Sequence, residues 1–242
     1  LALANYWAPI LQAKADAGEL HVSVSAMRRC LQTVNPLLQQ LLATGSKIDI
    51  TIEPRLMEVP GLCAPVDRKW MSEELRPLVE AGGASLDAGR KAAGCRAWIP
   101  CGMSRAAMEQ EFPWVANFGD GFEDGSVGGW HHGGFELPRQ TDARIEGNKA
   151  WLLERAKHLP ASDVVLLVAH GDTIARMLWS MLGISGTVSH SIANTSISSV
   201  SVTPDGAVAL DFINRTPHLV EYSNDRRNQE FYTFVGLRKR AL

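Results

Sequence analysis

The amino-acid sequence predicts an α/β protein with three layers, in which helices cover both faces of a mostly parallel central sheet. Two observations lead to this fold class. Residues 2–53 change from helical to strand patterns in the order helix, strand, helix, strand. Further along, residues 163–169 (DVVLLVA) form an almost unbroken run of valine and leucine, which is typical of a strand buried on both faces.

The amino-terminal elements follow from local spacing. Alternation of polar and apolar residues predicts strands, and apolar residues three and four apart predict helices. Pro9 and Pro36 fall inside the two helical patterns and predict local kinks. The predicted elements are a helix over 2–18, a strand over 21–25, a helix over 26–43 and a strand over 48–53.

The carboxy-terminal elements include an antiparallel strand pair. Residues 196–203 and 207–213 alternate, and Pro204-Asp205-Gly206 between them predicts a tight turn. Ser104 is placed to cap a short helix. The helices predicted in this half cover 105–111, 140–158 and 174–182, and the tail 224–242 shows no clear pattern.

The middle of the chain is the least regular part. Residues 59–135 predict an irregular insertion in a single domain that spans 1–242, with one helix around 72–81. Within the insertion, residues 119–134 hold seven glycines in sixteen positions, so they predict either a flexible linker or a loop over a site. Trp130, His131 and His132 in this segment favour the loop.

Composition narrows the class of partner. The 24 basic and 26 acidic side chains give a net charge of −2. This charge argues against a protein that binds nucleic acids in general or that binds anionic membrane surfaces. No apolar run approaches the roughly 18 residues that a membrane span needs. The four cysteines form no Cys-x-x-Cys pair, so we expect reduced thiols and a cytoplasmic protein. The oligomeric state leaves no signal in the sequence.

An anion site is predicted where the first strand meets the second helix. Arg29 falls in the first turn of that helix, where backbone N–H groups and the helix dipole already favour negative charge. Its guanidinium can donate hydrogen bonds to two oxygens of a phosphate at once. The alternative is that Arg28 and Arg29 are ordinary surface arginines.

Two further candidates follow strands. His170 comes directly after the buried run 163–169, at the end of a strand where open α/β sheets bind ligands, and Gly171 lets the backbone approach closely. Glu58 follows the second strand and precedes Pro60-Gly61, where it could act as a general acid. Taken singly, His170 could be a helix cap and Glu58 a solvated loop carboxylate.

Together these segments resemble the histidine phosphatase, or phosphoglycerate mutase-like, superfamily. VSAMRRCLQTVNPL resembles its Ser-x-x-x-Arg-Ala-x-Gln-Thr-Ala motif, with Arg29 on the arginine. RLMEVPG places Glu58 on the family's acid, and VVLLVAHGDTIARML places His170 on its second histidine. NTSISSVSV and DFINRTPHL resemble the closing strand pair. The resemblance covers about residues 2–220, with the middle third mostly unmatched.

The resemblance implies a phosphomonoesterase that acts through a phosphohistidine on a small phosphorylated metabolite or a phosphoprotein. Arg29, Gly171 and His170 would hold the phosphate, His170 would also stabilise transition-state charge, and Glu58 would protonate the leaving oxygen. It implies no metal and no cofactor. Trp130 and His131 would shape the pocket of the leaving group. A mutase or a diphosphate-processing enzyme is a weaker alternative.

One part of the family pattern is missing. The nucleophilic histidine belongs to an Arg-His-Gly motif on a first, central strand, and no Arg-His-Gly occurs in the 242 residues. We therefore expect that the sequence is incomplete at its N-terminus. The alternative is a catalytically inactive module that binds a phosphorylated ligand or partner. A sheet without that strand would need a replacement, because two rows of backbone groups would otherwise lack partners.

Overall fold

The computed structural model describes residues 1–59, 102–123, 130, 136, 138–185, 192–203 and 205–219, together with the backbone of 233–239. The helices are α1 (Ala2–Asp16), α2 (Arg28–Ala43), α3 (Arg105–Glu111), α4 (Pro138–His158) and α5 (Gly171–Met181). The strands are β1 (Leu20–Ser25), β2 (Asp49–Glu53), β3 (Asn117–Phe118), β4 (Val164–Ala169), β5 (Ser196–Val202), β6 (Val208–Arg215) and β7 (Thr233–Lys239). Short 3₁₀ turns cover Pro54–Leu56 and Pro217–Leu219.

The strands form one sheet in the order β3-β2-β1-β4-β7-β5-β6. Strands β3, β2, β1 and β4 are parallel. Strand β7 is antiparallel to β4 and parallel to β5, and β5 pairs with β6 as an antiparallel hairpin. The predicted α/β class, with a mostly parallel half and a carboxy-terminal antiparallel pair, is therefore confirmed.

Both faces of the sheet are covered, and β4 shows why. Its side chains alternate between the two faces because successive residues of a strand point in opposite directions. Val164, Leu166 and Val168 pack with the apolar sides of α1 and α2. Their neighbours along β4 pack with α4 and α5 on the other face. All six residues of β4 are buried, which explains the unbroken apolar run in the sequence.

Most predicted boundaries agree with the structure to within a few residues. Ser104 caps α3 as expected, its side chain accepting a hydrogen bond from the backbone N–H of Ala107. Helix α5 is an exception, since it begins at Gly171 and not at residue 174, with His170 as its N-cap residue. The helix predicted over 72–81 lies outside the described residues. Among the described residues, no helix is long and apolar enough to cross a membrane.

The sequence predicted neither the two-residue strand β3 nor strand β7. Strand β7 is the one that connects the two halves of the sheet. It lies in the tail where no element was expected, and its backbone pairs with β4 from Arg238↔Val164 to Thr233↔Ala169. On its other side it pairs with β5 over its full length. Both edges of β7 are therefore paired, and the described strands form one continuous sheet.

Candidate functional site

Three strand ends bring the predicted site residues to one edge of the sheet. Strands β2, β1 and β4 are parallel neighbours, so their carboxyl ends share an edge. Helix α2 begins just after β1 and carries Arg29 in its first turn. The 3₁₀ turn after β2 leads to Glu58, and His170 directly follows β4. This is the edge at which open α/β sheets bind ligands.

The structure brings Arg29, Glu58 and His170 into direct contact. Arg29 Nε donates a hydrogen bond to His170 Nδ1 at 3.1 Å. Arg29 Nη2 lies 3.6 Å from Glu58 Oε2, and the same carboxylate oxygen lies 3.6 Å from His170 Nδ1. Arg29 and Glu58 are each separated from His170 by more than a hundred positions in the sequence. Their convergence is what the three strand-end motifs predict together.

The three side chains differ in exposure. The His170 side chain is completely buried, whereas 36% of the Arg29 side chain and 20% of the Glu58 side chain remain accessible. An anion that arrives from solvent therefore meets Arg29 and Glu58 first. His170 lies behind the guanidinium, so direct contact between His170 and an anion requires Arg29 to move.

Burial shifts the proton affinity of both titratable groups. It raises the pKa of Glu58 to about 7, against the smaller opposing effects of the Val59 backbone N–H and Arg29. Burial also lowers the pKa of His170 well below its usual value, and the charges of Arg29 and Arg144 lower it further. Near neutral pH, Glu58 is thus a carboxyl that can still donate a proton, and His170 is a neutral imidazole.

The other ring nitrogen of His170 faces Ser25 and Cys30. Ser25 Oγ lies 3.0 Å from His170 Nε2, and Cys30 Sγ lies 3.4 Å from the same nitrogen. The thiol also donates to the backbone carbonyl of Ala169 at 3.6 Å. All these groups are buried, and burial raises the pKa of the Cys30 thiol, so it stays protonated.

The loop that carries Glu58 is held by side chains from α4 and α5. Arg144 Nη1 donates to the carbonyl oxygens of Arg55 at 2.9 Å and of Met57 at 3.1 Å. Asn148 adds a hydrogen bond to the Arg55 carbonyl, and Thr173 Oγ1 donates to the Met57 carbonyl at 2.7 Å. These bonds fix the backbone on the amino-terminal side of Glu58.

Sequence reasoning missed these bracing residues, although α4 carries a signal. Thr141 and Asn148 occupy the same helical stripe as the core residues Ile145 and Leu152, and all four are buried. A buried polar side chain on an apolar helix stripe needs a hydrogen-bond partner. Arg144 is further held by Glu136, with two contacts of 2.7 Å.

The remaining predicted residues lie in varied surroundings. Gly171 is the buried first residue of α5. Trp130 is 3% exposed and belongs to the core on the α1 and α2 face, with its indole against Gly102. His131 lies outside the described residues. His218 lies near Tyr6 of α1, and its Nε2 is 2.9 Å from Thr195 Oγ1.

Within the described part of the chain, no group of three histidine, cysteine or acidic side chains is arranged to hold a metal ion. No family model matches the sequence, and no curated protein matches it either.

Proposed function

We propose that this protein is a phosphomonoesterase of the histidine phosphatase type, acting on a small phosphorylated metabolite or a phosphoprotein. The convergence of Arg29, Glu58 and His170 at the carboxyl edge of parallel strands is the observation that supports it. A cation, a proton donor near neutral pH and a neutral imidazole meet there.

Each residue has a role in the proposal. Arg29 receives the phosphate, because its guanidinium is the accessible cation and matches two phosphate oxygens. The Nη groups of Arg29 meet the anion while its Nε stays bonded to His170 Nδ1, so the imidazole holds the guanidinium in place. Glu58 protonates the leaving oxygen, which suits a carboxyl whose pKa burial raises to about 7.

A specific observation favours a second candidate function. Among the described histidines other than His170, His21 lies at the opposite edge of the sheet, His158 at the exposed end of α4 and His218 beside α1. The phosphohistidine mechanism therefore needs a nucleophile from outside the described residues. Without one, the same pocket would bind a phosphorylated ligand or partner and release it unchanged.

A pair of neighbouring arginines provides the test. Arg28 is the matched control, because it lies next to Arg29 but pairs with Glu111 on the exposed surface of α3. Binding of inorganic phosphate is measured by calorimetry, and turnover is measured with p-nitrophenyl phosphate. We expect Arg29→Ala to abolish binding and to lower turnover by at least 10²-fold, while Arg28→Ala changes neither.

The two readouts separate the candidates. Binding with turnover supports the phosphatase. Binding without turnover supports the phosphate-binding module. If the wild-type protein binds no phosphate, or if Arg28→Ala and Arg29→Ala behave alike, the site is misassigned.

We also propose a cytoplasmic location. The four cysteines contain no Cys-x-x-Cys pair, and Cys30 is a free, buried thiol. Free thiols are typical of proteins kept in a reducing compartment. Fractionation of cells, with the protein detected by an antibody, would test this location.

A further inference from the structure

The contact between Arg29 and His170 fixes where the imidazole proton lies. An arginine Nε always carries a hydrogen and never accepts one. Because Arg29 Nε donates to His170 Nδ1, that nitrogen must present its lone pair. A neutral His170 therefore carries its proton on Nε2.

The proton on Nε2 needs an acceptor, because the ring is completely buried. Ser25 Oγ lies 3.0 Å from Nε2, within hydrogen-bond distance, and Cys30 Sγ is a weaker second partner at 3.4 Å. Ser25 is the last residue of β1, so the backbone pairing of β1 with β4 holds both partners in place.

The same residues could be arranged for a different chemistry. Ser25, His170 and Glu58 follow the order hydroxyl, imidazole, carboxylate that activates a serine nucleophile. That chemistry needs the opposite tautomer, with the proton on Nδ1 and directed at Glu58. Here Arg29 Nε is nearer to Nδ1 than Glu58 is, 3.1 Å against 3.6 Å, and Ser25 is fully buried.

We propose that Ser25 is a positioning residue, supported by Cys30, that holds His170 in the Nε2-protonated tautomer and keeps Nδ1 as an acceptor for Arg29. This inference deepens the proposed phosphate site and rests on it. By fixing the ring, Ser25 aims the guanidinium that receives the anion. It acts through His170 and does not itself contact the phosphate.

Ser23 provides a matched control. It lies two residues earlier on the same strand, is equally buried, and has no hydrogen-bond partner for its Oγ among the described residues. Ser23→Ala therefore removes a buried hydroxyl from β1 without touching His170. Ser25→Thr keeps the hydroxyl at position 25 and serves as the conservative variant.

The experiment measures ¹⁵N chemical shifts of the histidine rings in the full chain, with His170 assigned through a His170→Gln variant. We expect the wild type to show a protonated Nε2 and a bare Nδ1. Ser25→Ala should raise the fraction of the Nδ1-protonated tautomer about fivefold, the change that loss of one neutral hydrogen bond corresponds to. The Kd for inorganic phosphate should rise only in proportion to the fraction of rings that leave the Nε2-protonated form.

Ser23→Ala should match the wild type in both measurements, and Ser25→Thr should restore them. A wild-type ring protonated on Nδ1 would overturn the inference and support Ser25 as a nucleophile. The inference also fails if Ser25→Ala cannot be told apart from Ser23→Ala. Lack of phosphate binding by the wild type would instead overturn the proposed function, while the ring shifts alone decide the role of Ser25.

Discussion

The two edges of the parallel half of the sheet each hold a buried or half-buried histidine, but they surround it differently. At the amino edge, His21 Nδ1 lies 3.2 Å from Asp49 and His21 Nε2 lies 2.8 Å from Asp163. Arg155 reaches the same Asp49 carboxylate at 2.8 Å. At the carboxyl edge, His170 faces a guanidinium, a hydroxyl and a thiol.

This difference separates a structural cluster from a candidate functional one. At the amino edge Arg155 pairs with Asp49, and His21 lies between Asp49 and Asp163, so each polar group there has a partner. At the carboxyl edge, burial outweighs the neighbouring charges and raises the pKa of Glu58 to about 7. Titratable groups whose pKa is shifted far from its usual value are typical of functional sites.

The largest expected effect is on catalysis by Glu58→Gln. For an alkyl phosphate, whose leaving oxygen needs a proton, kcat should fall by about 10²-fold or more. For p-nitrophenyl phosphate the loss should be small, because the phenolate leaves without a proton. Wild-type turnover of the alkyl ester should decline as pH rises above about 7, where Glu58 loses its proton. Steady-state pH–rate profiles measure both effects.

Asp49→Asn at the amino edge is the control for that prediction and should leave both rates unchanged. Equal losses for the two esters in Glu58→Gln would contradict proton donation by Glu58.

The next effect is on stability, and it also concerns Glu58. Burial raises its pKa from 4.5 to about 7 in the folded protein. The folded state therefore binds the proton more tightly than the unfolded state does. The stability that this proton contributes is fully present below pH 4.5 and is lost as pH rises through 7. The loss amounts to about 3 kcal/mol in the free energy of unfolding.

Glu58→Gln should remove this pH dependence, so the variant should be more stable than the wild type at pH 8 and similar to it at pH 4.5. Urea unfolding of both proteins across this range gives the difference. A variant that is less stable at pH 8 would contradict the expected sign.

A substitution at the amino edge should destabilise the protein, whereas Glu58→Gln should stabilise it at pH 8. Asp163 is 9% exposed and accepts from His21 Nε2, so Asp163→Ala leaves a half-buried ring nitrogen without its partner. We expect a loss of about 1–3 kcal/mol in the free energy of unfolding, with no loss of phosphate binding. Urea unfolding and calorimetry measure the two quantities, and weaker phosphate binding would show that the edges are coupled.

The smallest effect is expected for Arg155→Ala. The Asp49 carboxylate with which it pairs is 47% exposed, and solvent screens such pairs. The free energy of unfolding should fall by less than about 1 kcal/mol. A larger loss would mean that Arg155 is needed to hold Asp49 against His21, and a double variant with Asp49→Ala would measure that coupling.

Much of the fold could be predicted because its periodicity is local. The apolar run of β4 and the alternating pair β5 and β6 are visible in the sequence itself. Strand β7 could not be predicted in this way, because TFVGLRK ends in charged residues and no short turn links it to either neighbour. It is defined by pairing with strands that lie far from it in the sequence.

The candidate site also has features that the sequence predicts and features that it does not. Arg29, Glu58 and His170 could be predicted to meet, since parallel strands end at one edge. The position of Arg29 over a buried His170 could not, because it depends on side-chain packing. Arg144 and Thr173 brace carbonyl groups 87 or more positions away, and such contacts leave no local pattern in the sequence.

The place of β7 has a consequence for how the chain folds. Among the described strands, β4 and β5 are joined through β7, which follows both of them in the sequence. The two halves of the sheet therefore cannot close until β7 itself has left the ribosome, whatever order the earlier elements form in. Until then β4 and β5 each present an open edge, and such edges expose a nascent chain to misassembly.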